Sequence, residues 1–190
     1  MNLKALFIVG ASLHDIMSNR KYRFADNNPS SRKRRIQALR DIGDDVRAGD
    51  YGGHIYREEA LPQDDDSWVY NGAELADNAS IAGNVKVRES RLSGYAEATG
   101  NVTMKDCDLR DEVAVRGDTD VPLTLQNVRA YGRVKIRGSG VIKDEFFAGR
   151  GSLQIKDGKV VAITTSRPFY PSSDKQSPSD LDVAARYFSW

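Results

Sequence analysis

Leu75-Ala76-Asp77-Asn78-Ala79-Ser80, Ile81-Ala82-Gly83-Asn84-Val85-Lys86 and the five residues 87–91 form one unit, which the chain repeats seventeen residues later. The second copy is Leu92-Ser93-Gly94-Tyr95-Ala96-Glu97, Ala98-Thr99-Gly100-Asn101-Val102-Thr103 and 104–108, and Leu109-Arg110-Asp111-Glu112-Val113-Ala114 opens a third. Three series of apolar residues follow at that spacing: Leu75, Leu92, Leu109; Ile81, Ala98, Val115; and Val87, Met104, Val121. A split into six, six and five places one inward side chain on each of three faces. A chain that repeats in this way winds as a coil whose turns hydrogen-bond to one another.

Within each six-residue block the first aliphatic residue fills the interior, and the fifth faces inward beside a corner and must be small. Gly83, Gly94 and Gly100, with Asn78, Asn84 and Asn101, occupy positions where the chain turns and a positive φ is useful. Antiparallel hairpins would instead alternate apolar and polar residues between tight turns. The register breaks at 119–124, where Pro122 marks an insertion of about four residues bulging from one corner, and resumes at Leu125, 130–135 and 136–140. The expected fold is all-β: a short parallel β-helix of four to five coils, about 17 residues each, over 68–148. At ~4.8 Å between turns it would be ~20–25 Å long.

Working outward, residues 1–67 read as a cap of strands and loops. Candidate strands are 3–9, 21–24 and 36–42. A loop over 25–35 carries the basic run Arg32-Lys33-Arg34-Arg35, Gly49-Asp50-Tyr51-Gly52-Gly53 has turn chemistry, and Asp64-Asp65-Asp66 reads as a solvated loop. Met17 is an alternative start to Met1. After the coil, 149–190 comprise a hairpin, a linker and a tail. Leu153-Gln154-Ile155 and Val160-Val161-Ala162-Ile163 flank Lys156-Asp157-Gly158-Lys159, whose Asp-Gly suits a type I′ turn. The stretch 166–179 is a Pro- and Ser-rich linker, and 180–190 reads as a short helix presenting Tyr187, Phe188 and Trp190.

Composition excludes more than it selects. The 190 residues carry a formal net charge of +1, which favours neither nucleic acid nor an anionic membrane. The charge is unevenly spread: 68–121 hold six Lys/Arg against ten Asp/Glu, and 122–190 hold eleven against six. The single cysteine, Cys107, rules out an internal disulfide framework and points to a reducing cytoplasm. No stretch reaches the ~18–20 apolar residues of a membrane span.

The six-residue pattern resembles the hexapeptide-repeat, left-handed β-helix superfamily of bacterial acyltransferases, and the resemblance is what implies the left hand. Lys21-Tyr22-Arg23-Phe24, Asp44-Asp45-Val46-Arg47-Ala48-Gly49, Gly52-Gly53 and Trp68-Val69-Tyr70 make 18–140 similar to YdcK-type bacterial proteins. Those proteins are longer, and His54 stands where their pattern tends to carry an aromatic.

The resemblance implies a histidine general base on a coil, at a cleft between subunits. The only histidines, His14 and His54, both precede the repeats, so a transferase would have to use His54 or a carboxylate. A zinc site built from several histidines cannot be met, and neither a metal nor a cofactor is expected. Cys107 lies between Asp106 and Asp108, whose charges oppose thiolate formation. The Asp64–66 run lacks the spaced carbonyl partners of a calcium loop. Candidate binding residues are the basic run Arg32, Lys33, Arg34 and Arg35, suited to gripping phosphate or an acidic protein surface, then Arg88, Arg91, Lys105, Arg110 and Arg116, taken as parts of a flat wall of alternating charge on the coils, and Trp190.

The function expected from this is a non-catalytic protein-binding β-helix, with the form of a phage- or mobile-element-borne inhibitor or adaptor acting on a host macromolecular complex. The alternatives are an acyl- or nucleotide-donor transferase working at a subunit interface, and a self-assembling structural module. A protein partner leads, nucleic acid at the 32–35 run follows, and a homo-oligomer stays open.

Overall fold

A computed structural model describes residues 20–26 and 30–165. The 3–9 strand, His14, the Met17 start, the linker, the helical tail and Trp190 all lie outside the described residues. The coil begins with β3 (Tyr51–Ile55) and β4 (Trp68–Val69), followed by β5 (Glu74–Leu75) with β6 (Ser80–Arg88), and β7 (Arg91–Leu92) with β8 (Glu97–Lys105). β9 (Asp108–Leu109), β10 (Ala114–Gly117) and β11 (Leu123–Gln126) make the next turn. β12 (Arg129–Gly138) with β13 (Gly140–Lys143), and β14 (Phe146–Lys156), complete a β-solenoid of about 6 turns.

The leucines stack as the period requires. Leu75 pairs with Leu92, Leu92 with Leu109, Leu109 with Ala130, and Ala130 with Phe147, all in parallel and all buried. Ile81, Ala98, Val115, Ile136 and Leu153 form the second interior column. Ala79, Ala96, Val113 and Val134 are the small residues packed inside a corner. Each filled position removes an aliphatic side chain from water, worth about 1.5–3 kcal/mol for a Val- or Leu-sized group.

The third column corrects one expectation. Val87 and Met104 are followed by Leu125, not by Val121, which is 49% exposed. The insertion begins before Val121, so pairing steps from 17 to 21 residues: Val102 faces Leu123 and Ala114 faces Lys135. The register then returns to 17, with Arg129 opposite Phe146. The extra residues form the 118–122 bulge predicted from Pro122.

The corners depart from expectation in detail. The residue in the left-handed region at the first corner is Asp77, then Gly94, Asp111, Gly132 and Gly149; at the third corner it is Gly72, Glu89, Asp106, Asn127 and Asp144. Asn78, Asn84 and Asn101 do not take positive φ. Asp is among the few non-glycine residues that visit the left-handed region, and here its carboxylate also ties the corner to the next turn: Asp77 Oδ2 accepts from Gly94 N at 3.1 Å, and Asp111 Oδ2 from Gly132 N at 3.1 Å. Asn84 and Asn101 instead stack, with Nδ2 of the first donating to Oδ1 of the second at 3.2 Å.

Both ends are closed by antiparallel strands. β1 (Tyr22–Phe24) pairs with β2 (Arg34–Ala38), and β2 pairs with β3. Arg34 and Arg35 thus lie in a strand, not in the 25–35 loop, and the 36–42 strand is shorter, Ile42 making only a bridge to Val46. Gly52-Gly53 is no turn. It lies within β3, so close to the first coil that a Cβ on Gly53 would sit 2.2 Å from Ala73 O. At the other end β15 (Lys159–Thr165) folds back on β14 through Asp157 (φ 50) and Gly158 (φ 75), as the Asp-Gly signal predicted. Leu153–Ile155 therefore serves two purposes, last parallel strand of the coil and first strand of the hairpin.

Asp65 is no member of a solvated loop. The Lys21 ammonium is fully buried and donates to Asp65 Oδ1 at 2.7 Å and Ser67 O at 2.9 Å, while Asp65 Oδ2 accepts from Gly83 N at 2.6 Å. This pair ties the cap to the second turn.

Candidate functional site

Outward side chains on a solenoid stand in columns about 4.8 Å apart, so the charge above and below each one is fixed by register. On the first face the column reads Arg35, His54, Glu74, Arg91, Asp108, Arg129, Phe146. From Glu74 to Arg129 the signs alternate from turn to turn. Neighbours close the account: Lys33 Nζ lies 2.8 Å from Glu74, Arg91 Nη1 3.5 Å from Glu74, Arg110 Nε 2.9 Å from Asp108, and the Tyr131 hydroxyl 3.1 Å from Asp108.

On the third face Arg88 and Lys86 both pair with Asp45, Arg88 also covers the Tyr70 ring, and Lys105 lies 3.9 Å from Glu89. In the cap Arg34 stacks over Phe24 at 3.4 Å and Arg35 donates to Asn71 and Gly52 O. Arg32 is exposed and has no partner among the described residues.

The five coil residues expected on one wall therefore do not share it. Arg91 and Arg110 are on the first face, Arg88 and Lys105 on the third, Arg116 on the second, and Arg32–Arg35 on the cap. The reason is geometrical: a seventeen-residue turn visits three faces, so a run of charges in sequence is dealt around the prism.

The second face behaves differently. One outward column runs Ser80, Glu97, Ala114, Lys135, Ser152; the next runs Ala82, Thr99, Arg116, Arg137, Gln154. At the adjoining corner Arg133 stands beside Arg150. Arg116 is directly opposite Arg137. Only Arg133 has an acidic partner, Glu112 Oε2 at 2.8 Å, and Arg116, Lys135, Arg137 and Arg150 are exposed with none among the described residues. Like charges facing across neighbouring strands destabilise a sheet by roughly 0.2–1 kcal/mol.

Arg116, Lys135 and Arg137 border a groove of about 780 Å³ between the wall and the returning β15, with Ser139, Ser152, Gln154 and Thr164 also lining it, and Arg133 and Arg150 line a smaller hollow beside it. Of this site the sequence identified Arg116 alone. The available signals were the basic excess after residue 122 and the alternation Arg133-x-Lys135-x-Arg137 on one strand.

His54 projects from the first face between Arg35 and Glu74. Partial burial lowers its pKa below the ordinary histidine value, helped by Lys33 and Arg35 and opposed by Asp26 and Glu74. Cys107 is buried, its thiol 3.3 Å from both Lys105 O and Leu125 O. Burial is the main reason its pKa is raised; Asp106 contributes less, so the expected direction holds for a different dominant cause. Among the described residues no three His, Cys, Asp or Glu side chains group to hold a metal, and no helix is long and apolar enough to cross a membrane.

Burial alone would raise the carboxyls of Asp45, Asp65 and Glu74, but their cationic and hydrogen-bonding partners outweigh it and hold all three below the ordinary range. Asp108 is lowered first by Arg110. A carboxylate depressed in the folded state contributes stability above its unfolded pKa, near 4, and loses it as pH falls through the folded value. Melting temperature should therefore be flat from pH 7 to about pH 5 and fall steadily below about pH 4. A melting temperature unchanged at pH 3 would show that these pairs contribute nothing.

No protein-family model matches the chain, and no curated protein is significantly similar to it.

Proposed function

We propose that the chain is a non-catalytic protein-binding module, a rigid β-solenoid that presents fixed charges to a macromolecular partner. One observation carries this reading. On the second face the fold keeps like charges opposed and unpaired, whereas on the first face it alternates them. A local rule broken at a standing cost, on an otherwise consistent frame, marks a surface shaped for something outside the molecule. Rigid strands fix the stems of those cations at set spacing, so little backbone ordering is left for association to supply.

The hexapeptide pattern and the likeness to YdcK-type proteins support a left-handed winding, and the single buried thiol supports a cytoplasmic setting. An inhibitor or adaptor borne by a phage or mobile element, acting on a host complex, is the form of binder that fits a short solenoid with charged walls. Closure of both ends by antiparallel strands weighs against end-to-end assembly, since an open parallel rung is what a second copy would extend.

The test is affinity capture from a bacterial lysate followed by gel filtration, with the native chain and His54→Ala in parallel. A stoichiometric complex that survives filtration and is indifferent to the histidine change is expected. Acyl transfer to a small-molecule acceptor, abolished in His54→Ala, would overturn the reading in favour of a transferase. Light scattering that grows with protein concentration would overturn it in favour of self-assembly.

A further inference from the structure

We infer that the groove on the second face is a docking site for an extended acidic segment of a partner protein, its carboxylates on alternate residues, lying along β12. The inference rests on the binding reading above and gives the partner its chemistry.

Spacing is the first argument. Lys135 and Arg137 are alternate residues of one strand, so their stems stand about 6.6 Å apart, twice the rise per residue. An extended peptide presents alternate side chains at that same interval. Across the strands the wall repeats at about 4.8 Å, which sets Arg116 beside Arg137 and Arg133 beside Arg150. A carboxylate above Arg116 and Arg137 meets two guanidinium groups, each able to donate a parallel pair of N–H bonds, whereas at the second pair Arg133 is already held by Glu112 and Arg150 is the free member. Filling those positions relieves the repulsion the free wall carries.

Electrostatic extent is the second argument, and it separates a peptide from a nucleic acid. A phosphate backbone needs a long, uniformly basic track and gains from aromatic platforms. Here Glu112, Asp118 and Asp157 bound the basic area, and no aromatic side chain among the described residues lines the groove. The whole chain has a pI near 7.8, below the strongly basic range of nucleic-acid domains. A short acidic segment fits within those limits. The hydroxyls of Ser139, Ser152 and Thr164 give its backbone polar partners along the groove.

The experiment is fluorescence anisotropy at low salt with a labelled peptide of alternating Glu and Ser. The comparisons are a peptide of the same composition with its Glu residues in one block, and a single-stranded oligonucleotide of equal charge. The full chain is compared with R116E/R137E and with K143E, which makes a charge reversal on the third face, away from the groove. The alternating peptide should bind the native chain more tightly than either comparison ligand. R116E/R137E should weaken it about tenfold or more, and K143E by less than about twofold.

Arg137→Glu alone replaces a repulsive pair with an attractive one, so its melting temperature should match or exceed that of the native chain. Loss of binding in that variant cannot then be ascribed to unfolding. Equal loss in K143E, equal affinity for the blocked peptide, tighter binding of the oligonucleotide, or no binding at low salt would each overturn the assignment. The two readings fail separately: a captured complex that withstands R116E/R137E removes the docking site and leaves the binder.

Discussion

Asp65→Ala should destabilise the protein by about 3–5 kcal/mol, the usual cost of stranding one member of a buried ion pair. The Lys21 side chain is fully buried; without Asp65 its ammonium keeps only Ser67 O and Oγ. Burial already lowers the Lys21 pKa against the raising effect of Asp65, so losing the carboxylate removes what chiefly keeps the amine charged. Gly83 N loses its acceptor in the same step, which uncouples the cap from the second turn. Lys21→Met combined with Asp65→Ala should recover most of the loss, because an apolar side chain of similar length leaves no charge to solvate. Urea denaturation of the two variants measures this. A single-variant loss below about 1 kcal/mol would mean the pair is only a surface contact.

Gly138→Ala should be comparably severe at the other end of the solenoid. Gly138 has φ +130, and a Cβ there would stand 1.7 Å from the carbonyl oxygen of Ile155 on the next turn. The obstacle is backbone, so no rotamer change relieves it. Overpacking and a strained φ each cost about 1–3 kcal/mol. Turns of a solenoid touch only their neighbours, so the damage should concentrate in β12, β14 and β15. Hydrogen exchange should accelerate there and leave β6 and β8 protected. Uniform loss of protection would show that the coil unfolds as one unit.

The interior was legible because it is local. A period of seventeen, an aliphatic residue at the start of each block and a small one four places on decide which side chains point inward, and Leu75, Leu92 and Leu109 stack for that reason alone. Asp157-Gly158 was legible too, since two left-handed residues in succession admit few turns. Other segments misled because their chemistry has two uses. Gly52-Gly53 suits a turn, but it equally suits a strand pressed against another backbone. Asp64–66 suits solvent, until Lys21 arrives from forty residues upstream and buries itself against the middle carboxylate. Asp77 takes the positive φ that Asn78 beside it was expected to need, and Gly83 and Gly100 take it beside Asn84 and Asn101.

The candidate site was the least legible part, and the cause is register. At a constant period Arg116 would lie over Arg133. The 118–122 bulge shifts the pairing, placing Arg116 over Arg137 and leaving Arg133 to meet Glu112. By itself the sequence determined a closed all-β coil with an aliphatic interior, because inward and outward positions follow from the repeat within a few neighbouring residues. Only the tertiary structure decided which charges are neutralised and which stand free. Each outward side chain meets partners a full turn away, and the length of that turn is set by how the whole coil closes.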